Sequence, residues 1–212
     1  RYLFGTRLQE LLWRGRHVDG TMRLGHNHPH RAFLVERLGH YAPLTSVFEV
    51  GCGSGANLAS LRHAFPGLAL SGVDINAAAV ATATAAAARA GPGSLDIRVG
   101  RAHDLSWLAD RSVDVVLADA VLMYLGPDQI DRALAEMARV ARRAVILNEW
   151  NLFERPADGS LSQWYYAHWV HDYAARLATF PGLKAARVER LPSGQWGAGG
   201  WELYGALIVA ER

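Results

Sequence analysis

The sequence predicts an α/β fold with a mostly parallel sheet of seven strands, and two observations carry this prediction. From residue 47 onward, short runs of strand-forming residues alternate with segments of helix length. Strands that alternate with helices form parallel sheets covered by helices on both faces. The last two strand-like segments are joined by a glycine-rich connection instead of a helix, so they predict an antiparallel hairpin at the C-terminal end.

Five parallel strands are predicted at SVFEV, LALSGVD, LDIRV, VDVVLA and AVILNE. The segments between them have helical character: ANLASLRHAF, NAAAVATATAAAARA and PDQIDRALAEMARVARR. Alanine has the highest helix propensity, so the alanine-rich tract is a helix that can lie close to the sheet. Pro127 and Asp128 suit the first turn of the third helix.

The segments that flank this core complete a single predicted domain over residues 1–212. Residues 1–45 predict an N-terminal helical cap, because apolar residues recur there at helical spacing. They are Leu8, Leu11 and Leu12, then Phe33, Leu34 and Leu38. In the core, residues 46–212, the segment SQWYYAHWVHDYAARLA predicts a further helix, and LKAARVERL and WELYGALIVAE form the final hairpin. Elements at 150–202 lie on the predicted substrate side.

Composition excludes several classes of function. Half of the 212 residues are apolar, and the formal net charge is +2 with 22 basic and 20 acidic residues interspersed. No basic stripe suits a phosphate backbone, so we expect no nucleic-acid partner. No run of about 18 apolar residues predicts a membrane span. The single cysteine, Cys52, and the absence of a secretory leader predict a soluble cytoplasmic protein without an internal disulfide.

The strongest functional motif is the stretch VFEVGCGSGANL, in which a strand is followed by three glycines and a helix. Such a loop lets a ligand lie against bare backbone at a helix N-terminus. Gly51, Gly53 and Ala56 also satisfy the dinucleotide fingerprint, with Asp74 ending the next strand where a ribose-binding acid belongs. Either interpretation of this motif predicts a ligand that contains adenosine.

Three further features favour one of the two interpretations. Glu49 stands two residues before the first glycine, and the resulting ExGxGxG pattern closely resembles the first motif of class I S-adenosylmethionine-dependent methyltransferases, small-molecule type. The strand order with its antiparallel tail is similar to the Rossmann-like seven-stranded sheet of that family. Too little chain remains for the substrate domain of a dehydrogenase. The resemblance implies a methyltransferase with S-adenosylmethionine as its cofactor.

The resemblance also implies which residues hold the cofactor. Asp74 would accept both ribose hydroxyls, and Ile75 would pack on the adenine ring. Glu49 would fix the loop or meet the methionine amino group indirectly. The methionine and ribose portions would lie against the three glycines, Gly51, Gly53 and Gly55.

The segment GRAHDLSWL resembles the adenine-binding segment of the family, in which Ala102 offers its backbone N–H to the base. Many relatives place an acid just before this small residue, whereas this chain has Arg101. Asp104 substitutes for that acid, the contact is missing, or Asp104 is simply a helix N-cap.

The segment LADAVLMYLGP resembles the part of the family fold beneath the reactive sulfonium. Ala118 and Asp119 would lie nearest the methionine end, with Tyr124 further along. A buried carboxylate needs a partner, and a sulfonium, an ammonium or a metal would suit Asp119. Alternatively, Asp119 caps the following turn.

A hydroxyl acceptor needs a base within hydrogen-bond reach of its proton. The helix predicted after the fifth strand would place Trp164, His168 and His171 on one face, so that face could supply the base. Alternatively, it is a surface helix with solvated histidines and an inward tryptophan. Tryptophan and tyrosine are frequent in the last third of the chain, and Trp196 in the glycine-rich connection predicts a platform for an aromatic ring or an amine.

The stretch GHNHPHR contains His26, His28 and His30 at alternate positions. Pro29 favours an extended His28 and starts a helix, so the alternation does not form one ligand face and we expect no metal site there. Zinc would also require further ligands, and the only cysteine lies in the glycine loop. We expect this stretch to form the rim of a pocket, with His28 or Arg31 contacting the substrate or the cofactor carboxylate. The alternative is a helix start with incidental histidines.

Three functions remain open at the level of sequence. The first is methyl transfer to an oxygen or nitrogen atom of a small-molecule acceptor, such as an aromatic or amine-containing compound. The second is a divalent-metal-assisted O-methyltransferase of the same fold, with Asp119, Asn148, Glu149 or Asn151 near the metal. The third is a non-catalytic cofactor-binding or partner-binding domain. The oligomeric state is open as well.

Overall fold

The structure is a computed structural model that describes residues 6–16, 28–89, 95–194, 196 and 199–212. These residues form nine strands: β1 (Ser46–Val50), β2 (Ala69–Asp74), β3 (Leu95–Val99), β4 (Val113–Asp119), β5 (Ala141–Trp150), β6 (Ser162–Tyr165), β7 (His168–His171), β8 (Arg187–Arg190) and β9 (Gly205–Glu211). The helices are α1 (Thr6–Gly15), α2 (Pro29–Gly39), α3 (Ala56–Ala64), α4 (Ala77–Arg89), α5 (Ile130–Val140), α6 (Tyr173–Leu177) and α7 (Gly200–Tyr204).

Seven of the strands form one sheet in the order β3-β2-β1-β4-β5-β9-β8. The first five are parallel, β9 is antiparallel to β5, and β8 is antiparallel to β9. The predicted α/β class, the seven-stranded sheet and the antiparallel C-terminal pair are therefore confirmed. All five parallel strands end at the same edge of the sheet, so the loops that follow them lie together.

Apolar layers cover both faces of the sheet. On one face, α2 and α3 bury Leu34, Leu38, Leu58 and Leu61 against β1 and β4. On the other face, α5 buries Leu134 and Met137 among residues of β4 and β5. The amphipathic pattern of α5 explains this placement, since its apolar residues recur at helical spacing.

The N-terminal cap is helical over the described residues, as predicted. Phe33, Leu34 and Leu38 of α2 are buried in the core. In α1, however, Leu11 and Leu12 are 65% and 59% exposed. The inward face of α1 carries Glu10 and Trp13 instead, and both line the pocket described below. Helical spacing identified the helix but not the face that packs inward.

The helix predicted for the segment after β5 is wrong over its first half. Residues 162–171 form an antiparallel hairpin of β6 and β7, in which Trp164 lies opposite Trp169. Tyr166, in the turn, has a left-handed φ of 46°. Only Tyr173–Leu177 is helical. Tryptophan and tyrosine favour strands, and the dense run of aromatic and histidine residues satisfied the helical spacing by coincidence.

Among the described residues, no helix has both the length and the apolar character needed to cross a lipid bilayer.

Candidate active site

The pocket lies at the carboxyl edge of the sheet, between β1 and β4. The chain proceeds outward from β1 to β2 and β3 and then returns to β4, so the loops after β1 and β4 diverge. Such a switch point is where open α/β sheets bind ligands. The pocket is also bounded by α1 and by the first turn of α2, which contribute Trp13, His30 and Arg31.

The glycine loop after β1 has the backbone conformation that its sequence predicts. Gly51, Gly53 and Gly55 all have left-handed φ angles, at 71°, 52° and 79°. Gly51 also lies against Val121, so a Cβ at this position would collide with the valine side chain. Gly53 has no neighbour within 4 Å of the place where a Cβ would lie. Gly51 and Gly53 line the pocket, whereas Gly55 lies behind them and precedes α3.

Asp74 ends β2 and faces the loop. Its Oδ2 accepts a hydrogen bond from the Gly53 amide at 2.7 Å, and its Oδ1 accepts one from the Asn76 amide at 2.8 Å. Burial raises the pKa of Asp74, and these amides oppose the shift. Each carboxylate oxygen has a second lone pair, so Asp74 can still accept two hydroxyl donors from a ligand.

At the adenine end predicted from the sequence, Ile75 and Ala102 both line the pocket. Asp104 does not, because its Oδ1 accepts hydrogen bonds from the amide and the hydroxyl of Ser106 in a local turn. The prediction that Asp104 replaces the missing acid is therefore corrected. The carboxylate that does line this end belongs to Glu10 of α1, whose Oε2 lies 3.3 Å from Nε of Arg101.

At the methionine end, one amide joins two buried acids. Nδ2 of Asn57 donates to Oε1 of Glu49 at 2.7 Å and to Oδ2 of Asp119 at 2.6 Å. Nδ2 of Asn148 donates to Oδ1 of Asp119 at 2.9 Å. Burial, with a smaller contribution from the nearby Asp119, raises the pKa of Glu49 to about 8, and the Asn57 hydrogen bond opposes this shift. Oε2 of Glu49 has no hydrogen-bond partner among the described residues.

Of the histidines in GHNHPHR, His30 meets this acidic group and lines the pocket, whereas His28 contacts His30 and does not itself line the pocket. Nε2 of His30 lies 3.2 Å from Oδ2 of Asp119, and Nδ1 of His30 lies 2.5 Å from Nδ1 of His28. His28 also caps α2, because its Nδ1 accepts from the His30 amide at 3.4 Å. His26 lies outside the described residues. Burial lowers the pKa of His28, and the neighbouring His30 and Arg31 lower it further.

Aromatic rings border the same end of the pocket. The Trp196 ring lies 3.9 Å from the His30 ring and stacks on Trp201 at 4.3 Å, measured between centroids. Trp13 meets the edge of Tyr124 at 4.7 Å. Trp13, Tyr124 and Trp196 all line the pocket, so a planar group between them would contact rings from three separate elements.

His168 and His171 do not line the pocket. His171 is fully buried, with Nδ1 2.8 Å from the Ser162 hydroxyl and Nε2 2.9 Å from the Leu125 carbonyl oxygen. Burial lowers its pKa to about 3. His168 packs behind Tyr124 and on Trp150. The hairpin therefore keeps both histidines out of the pocket lining, and the predicted catalytic face is corrected.

Three other predicted positions have structural roles and do not line the pocket. Ala118 is completely buried inside β4 and does not line the pocket. Glu149, one of the metal ligands of the second hypothesis, accepts backbone hydrogen bonds from Val121, Leu122 and Met123. It thereby holds the turn after β4. Oδ1 of Asn151 accepts a hydrogen bond from the amide of Tyr173. The side-chain oxygens of Glu149 and Asn151 therefore already accept hydrogen bonds from the backbone.

Sequence reasoning missed His30 and Asn57 as site residues. His30 belongs to the stretch expected at the pocket rim, but it lies inside α2 and only His28 and Arg31 were expected to make contacts; Asn57 lies in the first turn of α3 with no motif of its own. A signal for both was available, because a helix N-terminus that faces the sheet edge points its first side chains at the pocket. Of the predicted set, Glu49, Gly51, Gly53, Asp74, Ile75, Ala102 and Asp119 do line it.

Comparisons with known proteins agree with this geometry. Residues 47–144 match the protein-family model described as a methyltransferase domain. A search of curated proteins finds no significant match. Among solved structures, magnesium protoporphyrin IX methyltransferase from Synechocystis PCC 6803 with bound S-adenosylmethionine is similar over 100% of this chain and 93% of that chain, with a TM-score of 0.64 and 18% identity.

Two other solved structures align with this chain over nearly the full length of both chains. A geranyl diphosphate methyltransferase in complex with geranyl diphosphate and sinefungin has a TM-score of 0.69 and 16% identity, over 97% of this chain and 98% of that chain. A putative methyltransferase from Haloferax volcanii, in complex with a methyltransferase activator, has a TM-score of 0.63 and 19% identity, over 96% of both chains. Over residues 47–144 the chain therefore resembles a methyltransferase domain, and it has the class I, S-adenosylmethionine-dependent methyltransferase fold of these solved structures.

Proposed function

We propose that this enzyme transfers the methyl group of S-adenosylmethionine to an oxygen or nitrogen atom of a small aromatic acceptor, whose proton passes to a relay of His28, His30 and Asp119. The observation that carries the proposal is the contact of His30 with Asp119, at the methionine end of the pocket. The proposal includes the cofactor contacts expected of Gly51, Gly53, Asp74, Ile75 and Ala102.

The residues present fit this cofactor. Gly53 leaves open the space that a side chain would fill, and Asp74 retains lone pairs for two ribose hydroxyls. Oε2 of Glu49 has no hydrogen-bond partner in the described part of the chain, and a cationic group beside it would favour the ionised carboxylate over the protonated form that burial favours. When bound, S-adenosylmethionine supplies an electrophilic methyl group on a sulfonium, which departs as a neutral thioether.

Hydrogen-bond chemistry assigns the role of each ring nitrogen in the relay. A carboxylate only accepts, so Nε2 of His30 carries the hydrogen in the contact with Asp119. The two Nδ1 atoms, 2.5 Å apart, share one hydrogen. In the uncharged pair this hydrogen belongs to Nδ1 of His28, which in that tautomer does not accept from the His30 amide, and Nε2 of His28 is left as the nitrogen that can take up a proton. Because the pKa of His28 is lowered, its imidazole is neutral and available as a base near pH 7.

The stoichiometry of the step is simple. A bond forms between the acceptor oxygen or nitrogen and the methyl carbon, while the bond from that carbon to sulfur breaks. The acceptor proton moves to the histidine pair, and Asp119 stabilises the resulting positive charge. This is the arrangement by which a carboxylate orients a histidine base in other enzymes.

The aromatic acceptor is proposed from the rings that border the site. Trp196 presents a face next to His30, and Tyr124 and Trp13 lie on the other side of the opening. Burial raises the pKa of Tyr124 to about 12, so its hydroxyl stays protonated and can donate to an acceptor oxygen. A planar acceptor would stack on Trp196 with its nucleophilic atom toward the histidines.

The test is formation of S-adenosylhomocysteine by the purified protein with a panel of phenols, aromatic carboxylates and aromatic amines, with and without exhaustive chelation. The expected result is turnover with one of these classes, unchanged by the chelator. Activity that is lost on chelation and restored by one divalent cation would favour the metal-assisted alternative. Cofactor binding without turnover across the panel would favour a non-catalytic cofactor-binding domain.

A further inference from the structure

Helix α1 closes one side of the cofactor pocket, although its outer face is apolar and exposed. Gln9, Glu10 and Trp13 form part of the pocket wall. The opposite face carries Leu11 and Leu12, which are largely exposed. The helix therefore gains little from burial on that side, and polar contacts must contribute to its position.

Asn76 supplies the most buried of these contacts. Its Nδ2 donates to the backbone carbonyl oxygens of Trp13 at 2.9 Å and Arg16 at 2.8 Å, at the C-terminal end of α1. Its Oδ1 accepts from the amides of Ala78 at 3.0 Å and Ala79 at 3.1 Å, in the first turn of α4. The residue is 0% exposed. One side chain thus caps the end of α1 and the start of α4.

Asn76 is also tied to the residue expected to bind ribose. Its backbone amide donates to Oδ1 of Asp74, whose Oδ2 accepts from Gly53 in the glycine loop. The contacts therefore run without interruption from the glycine loop through Asp74 and Asn76 to α1. The Arg16 guanidinium packs over the Trp13 ring at 4.6 Å, which stabilises the segment that Asn76 holds.

We propose that Asn76 is a positioning residue for the cofactor, which holds α1 over the pocket and so slows release of S-adenosylmethionine and S-adenosylhomocysteine. The inference concerns enclosure of the cofactor and does not depend on the identity of the methyl acceptor. Asn76 acts through α1 and touches neither reacting atom.

The chemistry of asparagine separates this role from simple capping of α4. Aspartate and serine cap a helix N-terminus about as well as asparagine, because capping requires only an acceptor oxygen. Holding two carbonyl oxygens requires two N–H donors on the same side chain, and of asparagine, aspartate and serine only asparagine has them. Aspartate would in addition place a negative charge against both carbonyls.

The experiment compares Asn76→Asp, Asn76→Ser and Leu11→Ala with the wild-type protein. Calorimetry measures affinity for S-adenosylhomocysteine, and hydrogen exchange measures opening of residues 6–16 and 77–89 separately. We expect the two Asn76 variants to bind about 5- to 30-fold more weakly, since two hydrogen bonds of ordinary strength are lost. Exchange should become faster in residues 6–16 and remain unchanged in 77–89. Leu11→Ala, on the exposed face, should behave as wild type.

Wild-type affinity and wild-type exchange of residues 6–16 in a folded Asn76→Asp would overturn the proposal. A second measurement needs no variant. Saturating S-adenosylhomocysteine should slow hydrogen exchange of the backbone amides of residues 6–16 in the wild-type protein, because α1 covers the bound ligand and the ligand in turn stabilises α1 in that position. If the ligand binds and the exchange of α1 does not change, the proposal is wrong.

Discussion

Nε2 of His30 lies 3.2 Å from Oδ2 of Asp119, although His30 lies in the first turn of a helix of the N-terminal cap and Asp119 ends strand β4. Asn57 and Asn148 donate to the same carboxylate. Three donors from three different elements thus converge on Asp119, and they determine its orientation at the pocket. The contact links the cap to the centre of the proposed chemistry.

Replacement of His28 or His30 tests the relay. We expect His28→Ala and His30→Gln each to lower kcat by about 10²- to 10⁴-fold, the usual contribution of a general base, with cofactor affinity within about threefold of wild type. The measurements are steady-state kinetics with the acceptor found in the panel and calorimetry with S-adenosylhomocysteine. His63→Ala, at an exposed position of α3, is the control. Wild-type kcat in both relay variants would refute the assignment.

The pH dependence of kcat follows from the lowered pKa of His28. The base must be unprotonated to accept a proton, so activity should rise with pH on an acidic limb centred below 6.5, the ordinary histidine value. Above that limb kcat should be level through pH 7. The limb should be absent from His28→Ala. If the kcat profile of His28→Ala keeps an acidic limb at the same pH, a group other than His28 is responsible for it.

Asp74→Ala should weaken binding of S-adenosylmethionine by about 1.5 to 3 kcal/mol, the range for hydrogen bonds to a charged group. Calorimetry on the folded variant measures this loss. Asp96→Ala is a matched control, because Asp96 lies on the neighbouring strand and pairs with Arg98 at the surface. If the Asp74 variant is folded and binds as tightly as the control, the proposed ribose contact does not exist.

Two glycine variants separate stability from binding. Gly51→Ala should lower the free energy of unfolding by about 2 kcal/mol or more, because a left-handed backbone costs alanine about 1–2 kcal/mol and the added Cβ collides with Val121. Gly53→Ala should incur only the backbone cost, since its Cβ meets nothing in the protein. Its methyl group would enter the ligand space and weaken cofactor binding. Urea unfolding and calorimetry measure the two effects.

Glu49 predicts a pH-dependent stability. Burial raises its pKa in the folded chain from 4.5 to about 8, so the folded state keeps a proton that the unfolded state releases. This contribution is complete below about pH 4.5 and is lost as the pH rises toward 8. Between pH 5 and 8 the wild type should lose at least about 1 kcal/mol relative to Glu49→Gln, given about 1.4 kcal/mol per pKa unit. Parallel stability curves from urea unfolding would contradict the prediction.

The sequence by itself determined the sheet and the cofactor loop. Alternating strands and helices, together with the final hairpin, depend on propensities and periodicities that operate over a few residues. The glycine loop is equally local, because each left-handed φ is a property of one residue and Asp74 follows at the end of the next strand. The elements that bind the cofactor could therefore be predicted from neighbouring residues alone.

Only the tertiary structure decided which side chains meet at the far end of the pocket. His30 and Asp119, Glu10 and Arg101, and Asn76 and Trp13 are far apart in the chain, and no spacing in the sequence brings them together. The same holds for the hairpin of residues 162–171, where cross-strand pairing of aromatic rings overrides a helical pattern. Contacts of this kind form because packing of the cap and hairpin on the sheet selects one partner among many polar side chains.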